Sequence, residues 1–231
     1  MPSTTQDSLV AATLRDDILR GQYRCGERLP SERDLAQRFG VHRSTIREAF
    51  KRLAQLGVAR IAPGGARVAP IDEASLDVVG HLLALDEPPD PEIVDQTIEA
   101  ISGFRAMAAR LGTERANAEQ RAELLAILES MMRPDLSHAD YAEHVAALSQ
   151  SFVEASGNMI LRLMARGLRI RLDRTQTGYA AFGAPPIAAD VESQLARLVR
   201  AIEHADGMQA SEAVYTLSCL FRESLRAGSR S

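Results

Sequence analysis

The feature that most constrains this chain is the run Leu29-Pro30-Ser31-Glu32-Arg33-Asp34-Leu35-Ala36-Gln37-Arg38-Phe39-Gly40-Val41-His42-Arg43-Ser44-Thr45-Ile46-Arg47-Glu48-Ala49-Phe50. Ser31 is a good N-cap, and Asp34 stands three residues later, where a capping-box acid belongs. Leu35, Ala36 and Phe39 share one face of the helix that follows, and Gly40 supplies the left-handed residue a sharp turn needs. A second helix then runs from about Arg43 to Leu56, with Ile46, Ala49, Phe50, Leu53 and Leu56 as its apolar stripe. Arg43, Ser44, Arg47 and Lys51 fall on the opposite side, because steps of three and four residues stay on one helix face. An ordinary solvated helix could carry the same charges. A short helix, a tight turn and a helix that opens with basic and hydroxyl groups is instead the arrangement that docks in a DNA major groove.

The flanks agree. Leu9, Val10, Leu14, Ile18 and Leu19 recur at helical spacing, predicting a helix over 8–20 that Gly21 stops. After Leu56, Val58-Ala59-Arg60-Ile61 and Ala66-Arg67-Val68 bracket Ala62-Pro63-Gly64-Gly65, which reads as a β-hairpin. A hairpin directly after a groove-reading helix is a wing. Its glycines let backbone approach a duplex, and Arg67 can reach a phosphate or the minor groove. Residues 1–70 carry 12 Lys/Arg against 7 Asp/Glu, a net +5, whereas the whole chain is −4. A basic first part joined to an acidic remainder gives only the first part an anionic partner.

On these residues the segment 9–70 resembles the winged helix-turn-helix of the GntR family of bacterial regulators. The resemblance is carried by Leu14, Ile18 and Gly21, by Gly26 and Leu29 to Ala36, by Val41 and Arg43 to Ala49, by Leu53 with Leu56-Gly57, and by Gly64-Gly65. It implies that Arg33, Arg43 and Arg47 contact operator guanines and phosphates, for which the bidentate guanidinium is suited. It further implies that Ser44 and Thr45 bond phosphate or base edges and that Gly64 and Gly65 form the wing tip. His42 departs from the family pattern, which has Ser or Thr at this N-cap. A His caps less well, leaving it free to meet a phosphate or base.

Beyond Ile71 the periodicity predicts a linking helix over 72–87, broken by Asp86-Glu87-Pro88-Pro89-Asp90-Pro91. Further helices are predicted from Ile93 to Leu111, from Arg121 to Met132, and over 138–155, 158–177, 189–204 and 208–226, with a Gly183-Ala184-Pro185-Pro186 loop. No strand pattern interrupts them. The predicted fold is therefore mainly α. A winged helix-turn-helix domain (1–71) is joined through a linking helix and linker (72–91) to an all-α bundle (92–231) for effector binding and dimerisation.

Phe152-Val153-Glu154-Ala155-Ser156-Gly157-Asn158, Phe104-Arg105, and Ala201-Ile202 with Asp206 and Ala210 resemble the FCD-type ligand domain of the FadR subfamily. Many members of that subfamily hold a divalent metal with one Asp and three His. The corresponding positions here are Val145, Ser149, Leu195 and Leu217, none able to ligate, so no metal and no cofactor are expected. Asp140 and His144 have metal-pair spacing but lie five residues upstream, a turn of roughly 140° about the helix axis. The apolar replacements resemble the branch that senses fatty acyl-CoA without a metal. The expected effector is fatty acyl-CoA or another apolar acid, met by Arg105, Ser149, Asn158, Leu195, Leu217 and Phe221. A metal-dependent carboxylate sensor and a DNA-binding dimer without a ligand are the alternatives.

Other classes are disfavoured. Cys25 and Cys219 stand alone, without metal-ligand spacing. No apolar run approaches membrane-span length, and residues 1–7 lack a signal core. There is no Gly-rich phosphate loop and no Ser/His/Asp order of a hydrolase, so no catalytic residues are expected. The resulting expectation is a cytoplasmic homodimer that binds palindromic operator DNA, as a repressor controlled by a small-molecule effector.

Overall fold

The computed structural model describes residues 6–63, 65–133, 135–172 and 189–228. The chain divides into two compact units, Met1–Glu87 and Pro88–Ser231.

In the first unit, α1 (Gln6–Leu19), α2 (Glu32–Phe39) and α3 (Arg43–Leu56) precede strands β1 (Ala59–Ala62) and β2 (Gly65–Val68). Leu14, Leu35 and Ile46 are fully buried, and Val10, Phe50, Leu53 and Val58 close around them. An isolated helix as short as α2 is unstable in water. Burial of Leu35, worth about 1.5–3 kcal/mol, and a satisfied first turn hold it. Ser31 Oγ accepts from the Asp34 N–H at 3.3 Å and donates to the Asp34 carboxylate at 2.6 Å. Gly40 and Gly57, at φ 64° and 78°, end α2 and α3.

The strands pair antiparallel, with Ala59 opposite Val68 and Ala62 opposite Gly65. The segment before α2 joins them as a third edge. Leu29 N–H donates to Ala66 C=O at 2.9 Å, Val68 N–H to Glu27 C=O at 2.9 Å, and Gly26 N–H to Val68 C=O at 3.0 Å.

The single helix expected over 72–87 does not form. Ile71–Glu73 makes one 3-10 turn, Ala74 is extended at ψ 149°, and only α4 (Val78–Leu82) is α-helical. The cause is docking. A continuous helix would direct the Ser75 N–H to the carbonyl of Ile71, but it donates to Leu56 C=O at 2.9 Å. Of the apolar residues that give 72–87 its helical period, Leu83 is buried, Val79, Leu82 and Leu85 are half-buried and Leu76 is exposed, while Val78, off that stripe, is buried instead.

Every regular element among the described residues of the second unit is a helix: α5 (Pro91–Arg115), α6 (Ala118–Met131), α7 (His138–Ala155), α8 (Met159–Leu172), α9 (Ala189–Glu203) and α10 (Gly207–Gly228). Leu124, Leu128, Phe152, Leu198 and Ile202 form the centre of its core. α5 begins at Pro91, ahead of the Ile93 start, because Asp90 accepts from the Glu92 N–H at 2.8 Å and Pro needs no N–H at a first turn. α6 begins at Ala118 rather than Arg121, on a capping box between Asn117 and Gln120. α5 and α7 approach closely at Gly112, where a Cβ would stand 2.6 Å from the Phe152 carbonyl oxygen. The 183–186 loop and the helix end expected over 173–177 lie outside the described residues.

Candidate nucleic-acid interface

The Gly40 turn sets α3 across α2 so that Ile46, Ala49 and Phe50 point into the core. The opposite face of α3 is then open. Arg33 from α2, Arg43, Arg47 and Lys51 from α3, and Ile61 and Gly65 from the wing line one concavity of about 560 Å³. Two helices thus bring four cations onto one wall, beside an exposed isoleucine of the hairpin.

The four cations differ in how they are held. Arg43 has no carboxylate partner among the described residues. Arg33 Nε lies 3.5 Å from Asp34 Oδ1, with its side chain 76% exposed. The Asp34 carboxyl is held below the usual carboxylate range, first by the Ser31 hydroxyl and then by Arg33. Lys51 Nζ donates to Glu48 at 2.8 Å on its own helix. Arg47 is bound across elements: its Nε donates to Glu32 Oε2 at 2.8 Å and Oε1 at 3.0 Å. That hydrogen bond, with the charge of Glu32, pushes the Arg47 guanidinium above its ordinary pKa.

The remaining residues of the predicted DNA face are arranged around this wall. His42 sits at the N-cap of α3 and makes no capping hydrogen bond with its side chain. His42 and Ser44 are exposed, whereas Thr45 is half-buried. Gly65 has φ 146° at the start of β2, and Gly64 lies outside the described residues. Arg67 is at the wing base, where its Nη1 donates to Gly26 C=O at 3.0 Å. Glu32 lies in the stretch that carries the family resemblance, but its sequence position alone assigns it no contact. As a first-turn acid of α2 it looks like a complement to the helix dipole, and its partner is 15 residues away on another helix.

In the second unit Leu195 is buried in the core, and Leu217 packs against it. Ser149 Oγ donates to Val145 C=O at 2.7 Å. The Asn158 side chain caps α8, accepting from the Ile160 N–H at 3.0 Å and the Leu161 N–H at 3.2 Å. Arg105 and Phe221 are half-buried. The Asp140 carboxylate accepts from Ser137 Oγ at 2.6 Å, and His144 Nδ1 lies 2.6 Å from the backbone oxygen of Asp140. Both are thus engaged within α7 and its cap. Among the described residues no three His, Cys, Asp or Glu side chains converge as a metal site, and no helix is long and apolar enough to cross a membrane.

Comparison with known proteins matches both units. Residues 7–68 match the gntR family of bacterial regulatory proteins, and residues 98–217 match the FCD domain. The HTH-type transcriptional regulator Mce2R of Mycobacterium tuberculosis is 30% identical over 91% of this chain and 88% of its own length. A fatty acid metabolism regulator protein of Shewanella pealeana is 30% identical over 85% of this chain and 80% of its own. The solved structure of Lar, which controls expression of the Listeria monocytogenes agr system, shares the fold. It has a TM-score of 0.57 at 17% identity, covering 96% of this chain and 97% of that one. The chain belongs to the GntR family of DNA-binding transcriptional regulators, with an FCD domain as its ligand-binding half.

Proposed function

We propose that the concavity between α2, α3 and the wing is the operator-reading surface, with Arg33, His42, Arg43, Ser44, Thr45, Arg47, Gly64, Gly65 and Arg67 as its contacts. The observation that carries this is the convergence of Arg33, Arg43, Arg47 and Lys51 from two helices on one wall beside Gly65. An α-helix with such a face fits the major groove, and Arg reads guanine O6 and N7 through paired donors. The protein acts as a cytoplasmic homodimer on a palindromic operator and represses, without catalytic turnover.

The effector is fatty acyl-CoA or a similar apolar acid, and its binding requires no metal. Two observations support this. A relative is named for fatty acid metabolism, and three of the positions at which metal-binding relatives would place ligands are Val145, Leu195 and Leu217, side chains that belong to or pack against an apolar core. Contact falls to Arg105, Ser149, Asn158, Leu195, Leu217 and Phe221, with Arg105 answering the anionic group.

The test begins with duplexes enriched by the protein from a random-sequence pool, followed by mobility shifts. Arg43→Ala and Arg47→Ala are each expected to weaken the selected duplex by roughly 5- to 150-fold, the range for one bidentate base contact. Unchanged binding in the double variant would refute the assignment.

A further inference from the structure

We infer that Glu32 is a positioning residue that holds Arg47 ready to read a base, and so helps set sequence specificity without touching DNA itself. This rests on the proposed reading of DNA by α3. The ion pair engages the Nε edge of the guanidinium, at 2.8 and 3.0 Å from the two Glu32 oxygens. The two terminal Nη groups make no protein hydrogen bond among the described residues. An arginine approaching guanine end-on uses that terminal pair for O6 and N7. The carboxylate thus grips the side of the fork and leaves its prongs free. A blocking contact would occupy the prongs instead.

Glu32 is suited to be the anchor. Its side chain is 26% exposed against 64% for Arg47, so it is the better fixed of the two. It lies in the first turn of α2, where the helix terminus favours negative charge. It also follows Ser31, whose cap fixes that turn through the 3.3 Å bond to the Asp34 N–H. Arg43, with no such partner, must be ordered by the duplex. Arg47 meets it already oriented, which removes part of the ordering cost of binding.

Electrostatics alone predicts the opposite outcome for a variant. A carboxylate beside a phosphate-binding face repels DNA, so its removal should strengthen binding to every duplex. Positioning predicts lost discrimination. The experiment is parallel selection from random-sequence duplexes with wild type, Glu32→Ala, Glu32→Gln and Arg47→Ala, followed by binding to the selected duplex and its single-base variants. Melting curves confirm folding of this surface-pair variant.

Glu32→Ala is expected to lose roughly tenfold discrimination at the same base positions that Arg47→Ala loses, while its affinity for unrelated duplexes stays equal or rises. Glu32→Gln keeps an acceptor for Nε without the charge and should retain most of the preference. Equal strengthening on all duplexes with preference intact would reduce Glu32 to a repulsive charge. Loss at a base that Arg47→Ala leaves unaffected would make it a direct contact. Either result overturns the positioning role alone. A wild-type selection that returns no preferred sequence overturns the DNA reading beneath it.

Discussion

Gly57 does two things at once. At φ 78° it ends α3 in the left-handed region, and it leaves room for the chain at 73–75 to pass. A Cβ there would stand 2.8 Å from the Glu73 carbonyl oxygen and 2.9 Å from Ala74 Cα, both backbone atoms that cannot swing away. Gly57→Ala is therefore expected to destabilise the first unit by about 1–3 kcal/mol, the usual cost of a forced backbone conformation. Protection of the Ser75 amide should be lost first, because its bond to Leu56 C=O depends on that approach. Hydrogen exchange resolved by residue checks both. The Gly112 contact with Phe152 is its counterpart in the second unit, where α5 and α7 can meet only without a side chain between them.

At the scale of elements, α5 and α10 are tied by an ionic clamp. Arg222 Nε donates to Asp95 Oδ1 at 2.6 Å, Arg226 Nε to the same oxygen at 2.7 Å, and Arg222 Nη2 to Glu99 at 2.8 Å. The hydrogen bond from Arg222, then that from Arg226, holds the Asp95 carboxyl well below the usual carboxylate range. A carboxyl depressed in the folded state stabilises fully above its unfolded pKa of about 3.9, and the benefit is lost as pH falls through that value toward the depressed one. Melting temperature should accordingly fall on acidification below about pH 4 in the wild type, and fall less steeply in Asp95→Asn. Parallel acid titrations of the melting temperature in the two proteins would show no difference if the clamp is idle.

What was legible in the sequence divides along the same line between local and tertiary causes. The helix-turn-helix was readable because Ser31, Gly40 and the stripe from Ile46 to Leu53 each obey a rule that neighbours alone enforce. The bundle helices were readable from their period, and the Asn117…Gln120 box is a local signal that fixes the start of α6. The fate of 72–87 was not readable, since a hydrogen bond to Leu56 and the gap at Gly57 decide it. Nor was the ion pair of Glu32 with Arg47, which exists only once α2 and α3 are crossed.

At the scale of the whole molecule, each unit has its own core, so each can register a ligand through its own stability. An effector that binds the folded FCD unit and not the unfolded chain raises its stability by about 2.7 kcal/mol at a concentration 100 times its dissociation constant. Long-chain acyl-CoA is expected to raise the melting temperature of the protein, and short carboxylates to leave it unchanged. Stabilisation by short carboxylates only after addition of a divalent metal would replace the apolar effector with a metal-held one. The edge formed by Gly26, Glu27 and Leu29 against β2 bears on the other half of the task. The wing is stitched at its base into the connection that leads, two residues later, to the cap of α2. It cannot flap alone: bending it drags the first turn of α2, and with it the grip on Arg47. Under the proposed reading of DNA by this face, a duplex meets a stiff gauge with two jaws, and a groove of the wrong width is resisted by the backbone before any base is touched.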